Sequence, residues 1–363
     1  MAVIQRARFK TRKAAGRQSL VKASKSRLKI YVRPLYIQLK RNFMEIKHNH
    51  ADINGLKMHF VTAGTGPAVL FCHGFPEIWY CWRAQINALA SAGFSVIAPD
   101  MRGFGETEAP QACDQFTSVD VVGDMVALLD HLGIPTAAIV GHDWGATIAW
   151  GAALLRPDRF TAVAGLSVPY TPRGPDSLPG MLKRGAPANF YMLYFLEPGI
   201  AEAELDGDPR TFLRRVFYSN SGDLPADLEP VMLVADTGRL TDSLLEPDKP
   251  IPWLTETDLD VYTDAYVRSG FRGPLNTYRS LHRSWELTAA WDDRKIDIPA
   301  LYIGGSRDIV LTFPGMREAL DNFKSFAPLA EPPIVIEGIG HWVQYEAPEK
   351  VNQELNAFLK KAL

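Results

Sequence analysis

The clearest chemical signal in the sequence is the five-residue segment Gly141–Gly145, which reads Gly-His-Asp-Trp-Gly. It follows a buried apolar run and precedes an apolar helical pattern. This is the strand-turn-helix context of a nucleophile elbow, with Asp143 where a serine usually stands. The glycines permit a tight turn that lifts the middle side chain clear of a sheet, and the helix N-terminus adds a positive field. Asp143 could instead simply cap the helix; we interpret it as a nucleophile.

An aspartate at this position predicts a different reaction from a serine. Its carboxylate is ionised at neutral pH and needs no base to activate it. It can attack a saturated carbon and displace oxygen or halide, and the resulting ester can be hydrolysed by water. A serine that attacked the same carbon would form a stable ether. Asp143 therefore points to epoxides or haloalkanes as substrates, and away from esterase activity.

Two further residues complete a candidate triad in the chain order nucleophile, acid, histidine. Asp308 follows the predicted strand Ala300–Ile303, and His341 follows the last strand signal. A nucleophile elbow requires this order. We expect His341 to take a proton from the water that attacks the ester, and Asp308 to orient its ring. Asp292 and Asp297 are competing acids, but both precede the strand.

A second turn segment is expected to stabilise negative charge during ester hydrolysis. The residues His-Gly-Phe-Pro at 73–76 follow the predicted strand Ala68–Cys72, where the second donor of an oxyanion hole belongs. We expect the backbone N–H groups of Phe75 and Trp144 to bind the oxyanion. The alternative is an ordinary Gly-Pro turn.

Alternating strands and helices are predicted to position these groups. Short apolar strands that alternate with helices imply an α/β fold, in which a mostly parallel sheet is covered on both faces. The predicted strands are Met58–Ala63, Ala68–Cys72, Ser95–Ala98, Ala137–Val140, Ala162–Leu166, Ala300–Ile303 and Ile334–Ile336. The predicted helices are Trp82–Ala92, Ser118–Leu132, Ala146–Leu155 and Lys350–Lys360.

The segment 170–295 interrupts this alternation. It is dense in proline, tryptophan and tyrosine and shows no strand pattern, so we expect a helical insertion. An inserted cap over a sheet is a natural place to bury a small apolar substrate. The sequence thus predicts a core of residues 45–169 and 296–363, a helical cap of residues 170–295, and an extension of residues 1–44.

The N-terminal extension differs in charge from the rest of the chain. Residues 1–47 contain 14 Lys and Arg against one acid, Glu45, whereas the remainder contains 25 basic and 40 acidic residues. We expect a disordered extension, with an organelle transit peptide or a tail that binds anionic lipid or nucleic acid as alternatives. The net charge of −2 gives no reason to expect a nucleic-acid partner for the chain as a whole.

Cysteine usage and hydropathy bear on the compartment. Three cysteines without a C-x-x-C motif predict free thiols in a reducing compartment, and we expect the cytoplasm. The sequence contains no apolar run of about 18 residues, so we expect no transmembrane helix.

Opening an epoxide also requires a proton donor to its oxygen. A tyrosine suits this role, because with an ordinary pKa of about 10 it stays protonated and can donate. The insertion offers several candidates, and their spacing does not choose among them: Tyr191, Tyr194, Tyr218, Tyr262, Tyr266 and Tyr278.

Residues 45–360 resemble soluble epoxide hydrolases, which have the α/β-hydrolase fold. The matching segments are His73–Glu77, Asp100–Gly105, the elbow with Trp144, Tyr191–Phe195 running into Glu197–Gly199, and Phe271–Arg279. The resemblance implies that Tyr191 and Tyr278 hold the epoxide oxygen, although Tyr194 is a near neighbour that could take the place of Tyr191. We expect Phe75, Trp144 and Phe195 to line a pocket for an apolar epoxide. We expect neither cofactor nor metal, and a homodimer is compatible with the sequence.

Two other functions compete with this interpretation. A haloalkane dehalogenase resembles the chain in core, elbow and ester intermediate, but such enzymes usually carry Asn where this chain has Phe75, and they hold halide with an indole N–H. A non-catalytic ligand-binding protein of the same fold should lack part of the catalytic machinery, and every part is present here. We therefore predict an epoxide hydrolase that converts an apolar epoxide to a vicinal diol.

Overall fold

The computed structural model describes residues 45–230 and 232–363. The extension predicted for residues 1–44 lies outside the described residues. None of the helices in these two ranges combines the length and the apolar character needed to cross a bilayer. All three cysteines fall within them, and none forms a disulfide.

Within these described ranges, eight strands form one sheet in the order β1-β2-β4-β3-β5-β6-β7-β8. Strand β2 runs antiparallel to both of its neighbours, β1 and β4, and every other pair of neighbours is parallel. The strands are β1 Lys47–Ile53, β2 Leu56–Gly64, β3 Ala68–Cys72, β4 Ser95–Pro99, β5 Ala137–His142, β6 Phe160–Leu166, β7 Ala300–Gly305 and β8 Ile334–Ile336. The predicted fold class, an α/β protein with a mostly parallel sheet, is confirmed.

Helices connect these strands and fill the long segment between β6 and β7. In the core they are α1 Arg83–Ser91, α2 Ser118–His131, α3 Trp144–Leu155, α11 Met316–Asp321, α12 Phe323–Phe326, α13 Val343–Glu346 and α14 Pro348–Ala362. Between β6 and β7 they are α4 Leu178–Gly185, α5 Tyr191–Leu196, α6 Ile200–Leu205, α7 Pro209–Ser219, α8 Glu256–Ser269, α9 Arg272–Arg279 and α10 Leu281–Leu287. Short 3₁₀ turns are Trp79–Trp82, Cys113–Phe116, Ala289–Trp291 and Ile309–Thr312.

The segment between β6 and β7 is helical, as the sequence predicts. Among its described residues the only β pairing is an isolated bridge between Phe190 and Leu233. The limits of a separate cap domain at residues 170–295 remain a prediction.

Strand β1 is absent from the sequence prediction. It is a polar edge strand whose residues are mostly exposed, so it lacks the apolar alternation that marks a half-buried strand. The signal that could have found it is the Asn54-Gly55 turn, in which both residues have positive φ and which joins β1 to β2. Asn-Gly between two strands is a strong hairpin signature.

The central strands are buried along their whole length. Every residue of β3 and of β5 is buried, as expected for apolar strands covered on both faces. Helix α3 packs against β5 and β6, and Gly165 of β6 makes this possible, because a Cβ there would lie 2.2 Å from the indole of Trp150. The packing fixes the position of the turn from which α3 begins.

The parallel strands bring their carboxyl ends to one edge of the sheet. The turns after β3, β5 and β7 lie at this edge and carry Phe75, Asp143 and Asp308 respectively. His341 lies in the loop after β8. Ligand sites of open parallel sheets lie at this edge.

Candidate active site

The turn between β5 and α3 places Asp143 in a conformation that non-glycine residues rarely adopt. Its φ is 53° and its ψ is −122°, and such strain is tolerated where surrounding structure enforces it. The flanking glycines are required, because a Cβ on Gly141 would lie 2.0 Å from the carbonyl oxygen of Gly145, and one on Gly145 would lie 2.0 Å from that of Cys72. The Asp143 side chain makes no capping hydrogen bond to α3, so the helix-cap alternative finds no support.

The two carboxylate oxygens of Asp143 face different partners. Oδ1 accepts a 2.9 Å hydrogen bond from the backbone N–H of Phe75. Oδ2 lies 3.5 Å from Nε2 of His341. Burial alone would raise the pKa of Asp143, but the hydrogen bond and charge of His341, with the Phe75 N–H, hold this pKa below its usual value. The Asp143 carboxyl is thus ionised at neutral pH.

His341 is paired with the acid at the end of β7. Its Nδ1 donates to Oδ1 of Asp308 over 2.9 Å, and that oxygen also accepts from the N–H of Val310. Burial alone would lower the pKa of His341, but the charges and hydrogen bonds of Asp308 and Asp143 raise it well above its usual value. In the free protein, therefore, the two carboxylates favour the protonated imidazole.

A buried polar network fixes the loop that carries His341. The carbonyl oxygen of His341 accepts hydrogen bonds from Nε2 of His142, over 2.8 Å, and from Oγ of Ser167, over 2.6 Å. Nδ1 of His142 lies 2.8 Å from Oε2 of Glu77, and that oxygen also accepts from the N–H of Gly74. Sequence reasoning assigned no role to Glu77, His142 or Ser167. Glu77 and His142 lie inside the motif segments His73–Glu77 and Gly141–Gly145, so their position in the sequence could have indicated a role. Ser167 follows β6 and belongs to no recognised motif.

Of the two expected oxyanion donors, the N–H groups of Phe75 and Trp144, only the first has an acceptor among the residues that the structure describes. The N–H of Phe75 already points at Asp143. Trp144 is the first residue of α3, so its N–H has no acceptor within that helix. Both groups lie next to Asp143 in the fold, and their role as oxyanion donors stays a prediction.

The structure brings Tyr191 and Tyr278 together beside Asp143. Their ring centroids are 6.4 Å apart, and the ring of Tyr278 lies 5.0 Å from the indole of Trp144. Burial, together with nearby negative charge that includes Asp143, raises the pKa of both hydroxyls well above the usual value. Both therefore keep their protons. Tyr194 is committed elsewhere, because its hydroxyl donates to Oε2 of Glu204 over 2.7 Å.

Aromatic rings surround the Phe75 turn. Phe195 lies 5.7 Å from Phe75 and 5.0 Å from Tyr278, measured between ring centroids. Phe212 and Phe271 also pack within 6.2 Å and 6.1 Å of the Phe75 ring. These rings create an apolar environment on the side of Asp143 that carries the tyrosine pair. Within the ranges that the structure describes, no group of three or more His, Cys, Asp or Glu side chains is arranged to hold a metal ion.

The chain is similar in sequence to known proteins of one family. Residues 67–348 match the sequence model of the family described as the alpha/beta hydrolase fold. The chain is 40% identical over 326 residues to epoxide hydrolase 2 of Siraitia grosvenorii, with 87% of this chain and 99% of the relative covered. It is 42% identical over 313 residues to epoxide hydrolase A of Mycobacterium tuberculosis, with 85% and 95% covered.

A solved structure of an epoxide hydrolase is also similar to this chain. The structure of an epoxide hydrolase from an endophytic Streptomyces superimposes with a TM-score of 0.81 at 43% identity, covering 87% of this chain and 95% of that one. The likeness extends over nearly the whole of the relative and includes both the sheet and the helices between β6 and β7.

Proposed function

This chain belongs to the epoxide hydrolases of the α/β-hydrolase fold family, and from that premise we propose that it opens epoxides to vicinal diols through an ester on Asp143. One observation carries the mechanism. Asp143 lies between a His-Asp pair, which can activate water, and a pair of protonated tyrosines, which can bind an oxygen.

The first step forms the ester. Oδ2 of Asp143 attacks one epoxide carbon while Phe75 holds Oδ1, and the bond between that carbon and the epoxide oxygen breaks. Tyr191 and Tyr278 donate hydrogen bonds to the departing oxygen, and one of them transfers its proton. General acid catalysis of this kind typically contributes about 10²- to 10⁴-fold to a rate. The raised pKa of both hydroxyls favours this role, because each is fully protonated at neutral pH.

The second step hydrolyses the ester. Once Asp143 is esterified its negative charge is gone, so one of the two influences that favour a protonated His341 is removed and the imidazole can release its proton to solvent. Neutral His341 takes a proton from water, and the water oxygen attacks Cγ of Asp143. The resulting oxyanion lies at Oδ1, where Phe75 and Trp144 can donate to it.

Collapse of this intermediate releases the diol and restores the site. The bond from Cγ to Oδ2 breaks, the diol leaves with Oδ2, and His341 returns its proton to that oxygen. The regained carboxyl of Asp143 carries one oxygen from water, and its remaining proton goes back to the tyrosine. His341 regains from solvent the proton that it released, so the site is restored and epoxide and water are converted to diol with all atoms accounted for.

The aromatic rings packed around Phe75 and Phe195 favour an apolar epoxide as substrate, since an aromatic lining suits apolar ligands. A cytoplasmic location, suggested by three free thiols, and a homodimer belong to the same proposal. So do the predicted core of residues 45–169 and 296–363 and the cap of residues 170–295.

An isotope experiment tests the two-step route. In a single turnover in H₂¹⁸O with protein in excess, the label should enter Asp143 and be absent from the first diol formed. Label that appears in the diol at once, with none in Asp143, would indicate direct attack of water. A parallel assay with a chloroalkane distinguishes the dehalogenase alternative, because chloride release at a rate comparable to diol formation would overturn the assignment to epoxides.

A further inference from the structure

Glu346, at the end of helix α13, gathers three backbone N–H groups on one carboxylate. Oε1 accepts from Trp342 over 3.0 Å, and Oε2 accepts from Gly340 over 3.0 Å and from Gly222 over 2.7 Å. Gly340 and Trp342 are the two residues that flank His341. Gly222 belongs to the helical segment between β6 and β7. A single side chain therefore connects that segment to both sides of the candidate base.

The two segments that Glu346 connects lie backbone against backbone. The N–H of His341 donates to the carbonyl oxygen of Asn220 over 2.8 Å. A Cβ on Gly340 would lie 2.4 Å from the nitrogen of Gly222, and a Cβ on Gly222 would lie 2.2 Å from the carbonyl oxygen of Gly338. No side chain fits between the segments, so their spacing depends on these hydrogen bonds.

We propose that Glu346 is a positioning residue for ester hydrolysis, which fixes the His341 loop against the segment at Gly222 by accepting hydrogen bonds on both sides of His341. The inference rests on the proposed function, because it assigns to His341 the activation of water. The hydrogen bonds of Glu346 go to backbone N–H groups and not to Asp143 or the tyrosine pair. Its influence should therefore fall on the second step far more than on the first.

The charge state of Glu346 makes its hydrogen bonds to the His341 loop dependent on pH. Burial raises its pKa to about 7, although the three N–H groups act in the opposite direction, and Asp223 adds to the rise. The charged groups around it are Asp223 and Arg83, which share with it the wall of a cavity of about 480 Å³, and Arg307, whose guanidinium donates to the carbonyl oxygen of Gly222. As pH falls through about 7 the carboxyl gains a proton and becomes a weaker acceptor. Glu346→Gln resembles that neutral form at every pH.

Rapid-mixing kinetics can separate the two steps and so test the proposal. The full-length protein is mixed with an epoxide such as a stilbene oxide, and ester formation and decay are followed separately. For Glu346→Gln we expect the hydrolysis rate constant to fall by about ten- to a hundredfold, as for a small misplacement of a reacting group, with alkylation changed by less than about twofold. Glu349→Gln, an exposed neighbour on α14, serves as the matched control and should leave both steps unchanged.

The outcomes are distinguishable. Equal loss of both steps, or an unchanged hydrolysis rate, would overturn the role of Glu346 while leaving the ester mechanism intact. Failure of the wild-type protein to form any ester would overturn the proposed function instead. If the glutamine variant does not fold, Glu346→Asp provides the same test. Its shorter side chain withdraws the carboxylate from the N–H groups, so hydrolysis should again slow selectively.

Discussion

The backbone N–H of Phe75 donates a 2.9 Å hydrogen bond to Oδ1 of Asp143, and this contact makes the two carboxylate oxygens inequivalent. In the proposed mechanism the held oxygen becomes the ester carbonyl and then the oxyanion. The free oxygen, Oδ2, lies on the side of His341 and is available to attack. The proposed oxyanion donor thus contacts Asp143 before any substrate is bound, which is the preorganisation that favours charge stabilisation in a transition state.

The approach of Phe75 to Asp143 predicts that position 74 tolerates only glycine. In Gly74→Ala the new Cβ would lie 2.3 Å from Oδ1 of Asp143, so the carboxylate would have to move. We expect kcat/KM to fall by about a hundredfold or more, since misplacement of about 1 Å can cost this much. Gly185→Ala is the control, because no atom lies within 4 Å of a Cβ there. Near-normal turnover of Gly74→Ala would argue against this geometry.

The tyrosine pair predicts a non-additive pattern of loss. Tyr191→Phe or Tyr278→Phe alone should slow alkylation by about tenfold or more, and the double variant by about a thousandfold or more, because a single remaining hydroxyl can still polarise the oxygen. Tyr194→Phe is the matched control, since its hydroxyl is bonded to Glu204. Alkylation rates from single turnovers provide the measurement. A double variant that alkylates at the wild-type rate would exclude both hydroxyls as donors.

The two steps should differ in their pH dependence. The pKa of Asp143 lies below its usual value and those of the tyrosines well above theirs, so alkylation should change little between about pH 5 and 9. Hydrolysis needs neutral His341, and in the ester Asp308 still acts to raise the pKa of the imidazole although the charge of Asp143 is gone. Its rate should therefore fall as pH decreases, by about tenfold per unit once the imidazole is protonated, so that ester accumulates in acid. Parallel pH profiles for the two steps would contradict the assigned roles.

The sequence was sufficient to predict the elements and residues whose signals are local. Strands β3 and β8 begin and end where the apolar pattern places them, and the Gly141–Gly145 turn was recognisable because its glycines report close backbone approach. Asp308 and His341 could be chosen as the acid and the histidine because each follows a predicted strand in the required chain order. Strand β1 escaped prediction because an exposed edge strand needs no apolar face.

What the sequence could not supply depends on contacts between distant segments. Tyr191 and Tyr194 stand on one short helix and differ only in what lies opposite them, which for Tyr194 is Glu204 and for Tyr191 is Tyr278. The roles of Glu77 and Glu346 likewise arise from N–H groups that are remote in sequence. Periodicity and spacing contain no information on such pairings.

Trapping the ester in a variant that lacks the base tests the central claim most directly. His341→Gln should still alkylate, because Asp143 and the tyrosine pair are intact, but it should not hydrolyse the product. After incubation with an epoxide, mass spectrometry of the peptide that contains Asp143 should show an added mass equal to that of the epoxide. Asp143→Asn in the same background provides the control and should carry no adduct. If the His341→Gln protein shows no adduct, or carries it on a residue other than Asp143, Asp143 is not the nucleophile.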